Sequence, residues 1–337
     1  MTPDFFTPDA FNLVQMTQAI QKFPNQYGKC NKMNLFPASS VTVRTITIEE
    51  ENHVLNLLPT KPVGAPPTYG QQGKRKVRSF NIPHIPHNDI VKAEDVQGIR
   101  AFGSENQAET VAGVYAKKLA TMRRKHSITL EHMRMAALKG ILLDADGSTL
   151  YNFFTEFGIS QISQGYALTT SSTEVINKVL DTKASIEDNL KGEVMDHVHV
   201  FCSPSFYRAL STHATVKEAF KYYVQQQKLS GDYRNGFEYG GAVFEEYRGT
   251  ADDAAGTPRL FVPTDEAIAF PVGTSETFRT IFAPANFIES VNTPGQELYA
   301  KGVQDPAGRW IEIFSESNPL PICTRPELLV RLTTTTP

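Results

Sequence analysis

The sequence predicts an α+β protein built as lobes joined by strands that leave and return. Three observations carry that prediction. A single helical stripe runs from Ser104 to about Lys139. Short strands rich in β-branched residues lie on both sides of it, toward both ends of the chain. Between two of them, Val54 to Gly73 holds Pro59, Pro62, Pro66, Pro67, Gly64, Gly70 and Gly73, so it cannot be helix or sheet throughout. The chain has 337 residues, 40% hydrophobic and 20% charged. That is a folding composition, with length for about two or three lobes.

Residues 1–40 read as an N-terminal arm with scattered aromatics (Phe5, Phe6, Phe11, Phe23, Tyr27, Phe36) and a short helix around Thr7 to Phe23. Such a helix buries little alone, so it packs either on its own domain or on a neighbouring subunit. Val41 to Ile48 alternates as a strand and Arg75 to Ile82 as a second. The long loop between them is the kind that usually carries function. Ser104-Glu105-Asn106-Gln107 fits a capping box. After it, Val111, Val114, Tyr115, Leu119, Met122, Leu130, Met133 and Ala137 make one apolar stripe ending near Gly140. At about 1.5 Å per residue the helix is about 50 Å long unless it bends around Ser127 to Thr129, and one apolar face places it across a surface rather than enclosed. Asp144-Ala145-Asp146-Gly147 is a hairpin turn. Val175, Ile176, Val179 and Leu180 mark a helix, and Val198 to Phe201 a buried strand. Ser203-Pro204 is an N-cap with proline at the first helical position, opening a helix toward Phe220. Further strands are expected at Gly241–Tyr247, Leu260–Val262, Ala267–Pro271, Trp310–Phe314 and Leu328–Leu332.

Several function classes are disfavoured. The 33 basic and 36 acidic residues leave a net charge of −3, with no overall drive toward nucleic acid or an anionic membrane. No apolar run is long enough to span a bilayer, and Met1 to Ile20 lacks the pattern of a signal peptide. Cys30, Cys202 and Cys323 are odd in number and widely spaced, as expected of reduced thiols. His197-x-His199 puts two imidazoles on one strand face, but no third ligand is placed, so they read as ordinary strand histidines. His84-Ile85-Pro86-His87 is weaker still. Asp144 and Asp146 lack the rest of a calcium loop and read as turn residues. No nucleophile elbow, phosphate loop, zinc-protease or dinucleotide motif is present. The expectation is no enzyme, no cofactor and no metal.

The charges of the presumed hairpin are patterned. Lys74, Arg75, Lys76 and Arg78 lie on one strand, and Glu49, Glu50 and Glu51 on the other. Pairing Glu50 with Arg75 sets Glu49 opposite Lys76 and Glu51 opposite Lys74. Each cross-strand pair contributes a few tenths to about 1 kcal/mol, so these charges read as a register device for a long two-stranded arm, with direct subunit–subunit contacts as a second reading. A phosphate-binding patch is the alternative use of the basic run.

The order of parts resembles the Hong Kong 97-type phage capsid fold, and local stretches resemble the lambda-type major capsid proteins of the phage major capsid protein E family. Those stretches are Ala136-Ala137-Leu138-Lys139-Gly140, Val198-His199-Val200-Phe201-Cys202-Ser203-Pro204 running into Phe206 to Phe220, Phe237 to Tyr247, Phe261-Val262-Pro263, and Asn318-Pro319-Leu320-Pro321 before Glu327-Leu328-Leu329-Val330. The resemblance spans about residues 35–335. It implies an N-arm (1–40), an extended hairpin loop (41–90), a peripheral domain with a spine helix (91–168 and 280–318) and an axial domain (169–279 and 319–337). It further implies an icosahedral phage head shell assembled from pentamers and hexamers of the chain in the host bacterial cytoplasm. Implied partners are scaffold, portal and decoration proteins, and packaged DNA held without sequence recognition. No membrane is involved. No cross-linking Lys–Asn pair is assignable, and no charged helical scaffold segment precedes the body, so an uncleaved chain is expected. An encapsulin-like compartment shares the fold.

Overall fold

A computed structural model describes residues 12–25, 27–51, 75–97, 111–227 and 234–335. The helices are α1 (Leu13–Gln21), α2 (Lys29–Lys32), α3 (Val111–Leu138), α4 (Phe153–Phe157), α5 (Val175–Leu190), α6 (Pro204–Thr212) and α7 (Lys217–Gln227). The expected capping box at Ser104 to Gln107 lies outside the described residues.

The first half of α3 behaves as its stripe predicts. Leu119 and Met122 are buried, while Lys117, Thr121, Arg124 and Lys125 are exposed. The buried side meets a three-stranded antiparallel sheet, in the order Tyr299–Gln304, Trp310–Ser317, Ile85–Lys92. Leu119 and Met122 join Val91, Leu298, Ala300 and Ile313 there, together with Met16 and Ile20 of α1. Asn12 caps α1 by accepting from the Gln15 N–H at 2.9 Å. The Thr17 hydroxyl accepts from the Ala300 N–H at 3.2 Å. The N-terminal helix therefore packs on its own chain.

The second half of α3 departs from the expectation of a helix lying across a surface. Every residue from Leu130 to Leu138 is buried. Glu131, His132 and Arg134 look like a solvent face in sequence, yet each has a partner inside. His132 meets the Asp144 carbonyl at 3.2 Å, and Arg134 reaches Thr280 at 3.2 Å. The helix is thus enclosed at one end and amphipathic at the other.

The second large unit is a six-stranded sheet, in the order Ile162–Gly165, Val330–Thr333, Glu266–Val272, His197–Cys202, Ala242–Glu246, Asn235–Tyr239. Its central strand is covered on both faces, which explains the near-continuous apolar run. Val198, Val200 and Cys202 pack with α5 and α6, while Phe201 joins the core that holds the end of α3. Ser203 caps α6, accepting from the Phe206 N–H at 3.3 Å, with Pro204 at its first turn. The single helix expected to run to Phe220 is instead two. His213 is extended (φ −60, ψ 141) and buried, its ring bonded to Thr215 and to the Thr170 carbonyl at 3.0 Å each.

A small sheet of Ala38–Ser40, Phe278–Phe282 and Pro319–Cys323 closes over α3. The strand expected over Val41–Ile48 instead starts late: a bend covers residues 42–44 and the strand runs Thr45–Glu51, while Ala38–Ser40, just before the expected start, joins this small sheet. The turn at Asp144 to Gly147 joins Ile141–Leu143 to Thr149–Asn152, with Gly147 at φ +84, where a side chain is strained. Asp146 accepts from the Ser148 N–H at 2.8 Å, as a turn residue does. The three cysteines are free and buried.

Leu119, at 4% exposure under the three-stranded sheet, has few ways to repack. Leu119→Ala should cost on the order of 2–5 kcal/mol in denaturant unfolding. A change below about 0.5 kcal/mol, the range of ordinary surface substitutions, would remove this helix face from the core.

Candidate functional site: the charged hairpin and its footing

Thr45–Glu51 and Arg75–Asn81 form a two-stranded antiparallel ribbon. Its register differs by one residue from the charge-matched expectation. Glu50 lies opposite Lys76 and Glu51 opposite Arg75, while Glu49 faces Val77 and Arg78 faces Ile48. Lys74 lies outside the described residues. The reason is at the other end of the ribbon, where Ile46 pairs with Phe80. Both are buried, at 7% and 0% exposure, and each such burial stabilises by roughly 1.5–3 kcal/mol. The charge-matched register would set Phe80 opposite Thr45. A cluster of acids against a cluster of bases tolerates either register; the apolar pair does not.

The foot of the ribbon is therefore part of the core, not an arm standing clear of both lobes. Phe80 packs edge-on to Tyr151 and Phe153, with centroids 5.3 and 6.4 Å away, and stacks near Phe157 at 6.3 Å. The Tyr151 hydroxyl accepts from the Asn81 N–H at 2.9 Å and donates to the Asn81 carbonyl at 3.1 Å. Arg78 is also committed to the body. Its guanidinium lies 4.8 Å over the Phe157 ring and donates to the Glu156 and Phe157 carbonyls at 2.5 and 3.4 Å. Of the seven charges singled out by sequence, Arg78 fixes the foot. The backbone positions of Glu49, Glu50, Glu51, Arg75 and Lys76 continue the ribbon away from it.

Close to the same core lies a buried charged cluster that sequence reasoning missed. One Glu131 oxygen accepts from the Cys30 N–H at 3.0 Å and from the Tyr247 hydroxyl at 3.1 Å. Burial pushes its carboxyl above the ordinary carboxylate range. Gly28, at φ +98, lies so close that a Cβ would strike this carboxyl. Next to it, Lys29 pairs with Glu245, whose other oxygen is 3.1 Å from His199. Burial raises the Glu245 carboxyl, but the bonds from His199 and Lys29 outweigh it and hold the group below its usual value. His197 and His199 do share a strand face, with ring centroids 5.9 Å apart, but His199 is taken up by Glu245. Among the described residues, no three His, Cys, Asp or Glu side chains gather as they would around a metal ion. The available signal was Glu131, His132 and Arg134 set among Met, Ala and Leu.

His126, midway along α3, shows how such groups are held. The Ser315 hydroxyl donates to the His87 carbonyl at 2.7 Å, so the His126 Nε2–H must donate to Ser315, 2.9 Å away. That leaves Nδ1 buried without a partner. A proton there would be desolvated and would face His87, Arg123 and Lys125, and the imidazole is pushed down to about 3.

The ribbon on its buried foot, the long helix passing from sheet to core, and the two-sided sheet beside it make the Hong Kong 97-like capsid fold. The solved structure of a prophage capsid protein from Escherichia coli CFT073 matches over 96% of this chain and 98% of its own, with a TM-score of 0.61 at 15% identity. The capsid of Ralstonia phage GP4 matches over 90% and 88%, with a TM-score of 0.54 at 11% identity. The chain belongs to the phage major capsid protein E family, whose model matches residues 12–334, and it forms the capsid shell of a phage. The major capsid protein of Pseudomonas phage KPP10 is 33% identical to it, covering 95% of this chain and 96% of its own length. That of Salmonella phage Felix O1 is 27% identical, over 95% of each. Membership decides for a phage shell over an encapsulin-like compartment or a nucleic-acid-binding protein.

The sign of the His126 effect follows from its depressed value. The unfolded chain takes up this proton near 6.5, while the folded chain refuses it until about 3. The unfolded state therefore binds more protons across that window, and stability should fall as the pH drops through it. His126→Gln, whose amide can donate to Ser315 without titrating, should flatten that slope in unfolding curves taken from pH 7 to pH 4. An unchanged slope would mean that His126 is not a source of acid sensitivity.

Proposed function

We propose that this chain acts as a purely structural, self-assembling shell subunit, without catalysis, whose charged ribbon is an intersubunit arm. What supports the arm is the contrast between its two ends: the foot is locked by Phe80, Tyr151 and Arg78, while Glu50–Lys76 and Glu51–Arg75 lie on the part leading away. Cross-strand opposite charges keep such a two-stranded extension in register without a core of its own. Pentamers and hexamers of the chain would close the shell in the host cytoplasm. Scaffold, portal and decoration proteins are the expected partners, and the enclosed DNA would be held without sequence reading.

In the domain assignment we favour, the peripheral domain comprises the three-stranded sheet and the first half of α3. The axial domain comprises the six-stranded sheet with α5, α6 and α7. Two strands move relative to the boundaries expected from sequence. Ile85–Lys92 goes with the peripheral sheet rather than the hairpin, and Ile162–Gly165 with the axial sheet.

Electron microscopy of the expressed, purified chain should show closed shells; a chain that stays monomeric under all assembly conditions would sink the self-assembly reading. Arg75→Glu with Lys76→Glu should leave circular dichroism unchanged and abolish shells in sedimentation. Adding Glu50→Lys and Glu51→Lys should restore them in part. Normal shells from the first pair of substitutions would show that the ribbon's charges do not hold the lattice.

A further inference from the structure

We infer that the outer face of the three-stranded sheet is an interface between two copies of this chain. Its inner face is closed by α1 and α3. The outer face of a one-sided antiparallel sheet is ordinarily polar. Here it carries Ile90, Val303 and Trp310 at 40%, 46% and 40% exposure, with Phe314 half-buried among them. The register makes them neighbours. Ile90 and Val303 flank Glu312 from the two sides, Trp310 pairs with Lys92, and Phe314 lies between Asn88 and Lys301.

The rim is polar and already paired. Lys301 bonds Glu289 and lies 5.8 Å over the Phe287 ring, and Lys92 meets Glu94 at 3.1 Å. The Asn286 N–H donates to Glu316 at 2.6 Å, holding the turn that projects Ile288 at 91% exposure. An apolar centre within a self-compensated rim is the anatomy of a protein–protein contact. A nucleic-acid surface would need a surplus of free cations.

Glu312 selects the kind of partner. It sits between Ile90 and Val303 with the Asn88 amide at 3.4 Å and no cation in ion-pair range among the described residues. Burial of this face would demand a positive charge from the other side. The chain itself offers exposed Arg44 and Arg124, neither in an ion pair among the described residues. A second copy is also the partner that a shell supplies at every position.

Such an interface presupposes the shell role, and the experiment separates the two. Trp310 is the one tryptophan of the chain, so its fluorescence reports this face alone. In shells assembled from the purified chain alone, Trp310 should emit at shorter wavelength than in the unassembled chain and lose most of its quenching by acrylamide. Ile90→Lys with Val303→Lys should leave a chain folded by circular dichroism and abolish shells. Val194→Lys, at a site 82% exposed beside the six-stranded sheet, should assemble normally. Equal quenching of Trp310 in shells and in the free chain would overturn the interface and leave the shell role standing. So would normal shells from the double variant. Shielding of Trp310 only after a second phage protein is added would also overturn it, because the occupant would then not be a copy.

Discussion

From Leu130 to Leu138, α3 has no side that meets water, and three of those nine residues carry charged or ionisable side chains. Leaving such a group unpartnered inside a protein costs several kcal/mol. The fold answers by bringing distant segments to them. Cys30 and Tyr247 come to Glu131, the Asp144 carbonyl to His132, and Thr280 with Asn31 to Arg134. The N-terminal segment, the hairpin after the helix, the end of the six-stranded sheet and the small sheet are thus fixed around one helical end. Gly28 belongs to the same constraint, because any side chain there would displace the Glu131 carboxyl.

The ribbon draws its footing from that core. Phe80 belongs to the cluster that contains Met133, Met135 and Leu138, along with Phe153 and Phe157. A two-stranded ribbon alone is marginal in water, so whatever it does beyond its foot depends on being held there. Aromatic packing fixes the register, and the charges then follow it. Phe80 and Arg78 tie that foot to α4 and, through the shared core, to the end of α3.

What was legible in the sequence was local. The Ser203-Pro204 helix start, the Asp144 to Gly147 turn, the Leu119 and Met122 face and the two ribbon strands each follow from rules that act within a few residues. What was not legible depended on tertiary partners. The stripe on α3 could not reveal that its polar side is enclosed, because Cys30 and Tyr247 lie about a hundred residues away on either side. Counting charges could not reveal the ribbon's register, because Phe80 finds its burial against residues 151–157. The break at His213 depends on a carbonyl at Thr170. For the shell itself, the ordered resemblance along the chain gave more than any single motif.

The two large sheets differ in a way their sequences already express. His197–Cys202 is nearly all buried, because helices cover one face and the α3 core the other. That strand has both faces covered within one chain. Trp310–Ser317 alternates strictly, with Ile311, Ile313, Ser315 and Ser317 buried and the others turned outward. Alternation of that kind specifies one covered face and leaves the second to water. Polar residues at all four outward positions would make a monomer's sheet complete. Glu312 and Glu316 obey that rule; Trp310 and Phe314 do not, and Ile90 and Val303 on the flanking strands repeat the departure. A chain that folds alone and then packs against copies of itself must leave some apolar area uncovered until assembly. This one keeps that area on its smaller sheet, where losing water on the second face disturbs none of the contacts that hold α3.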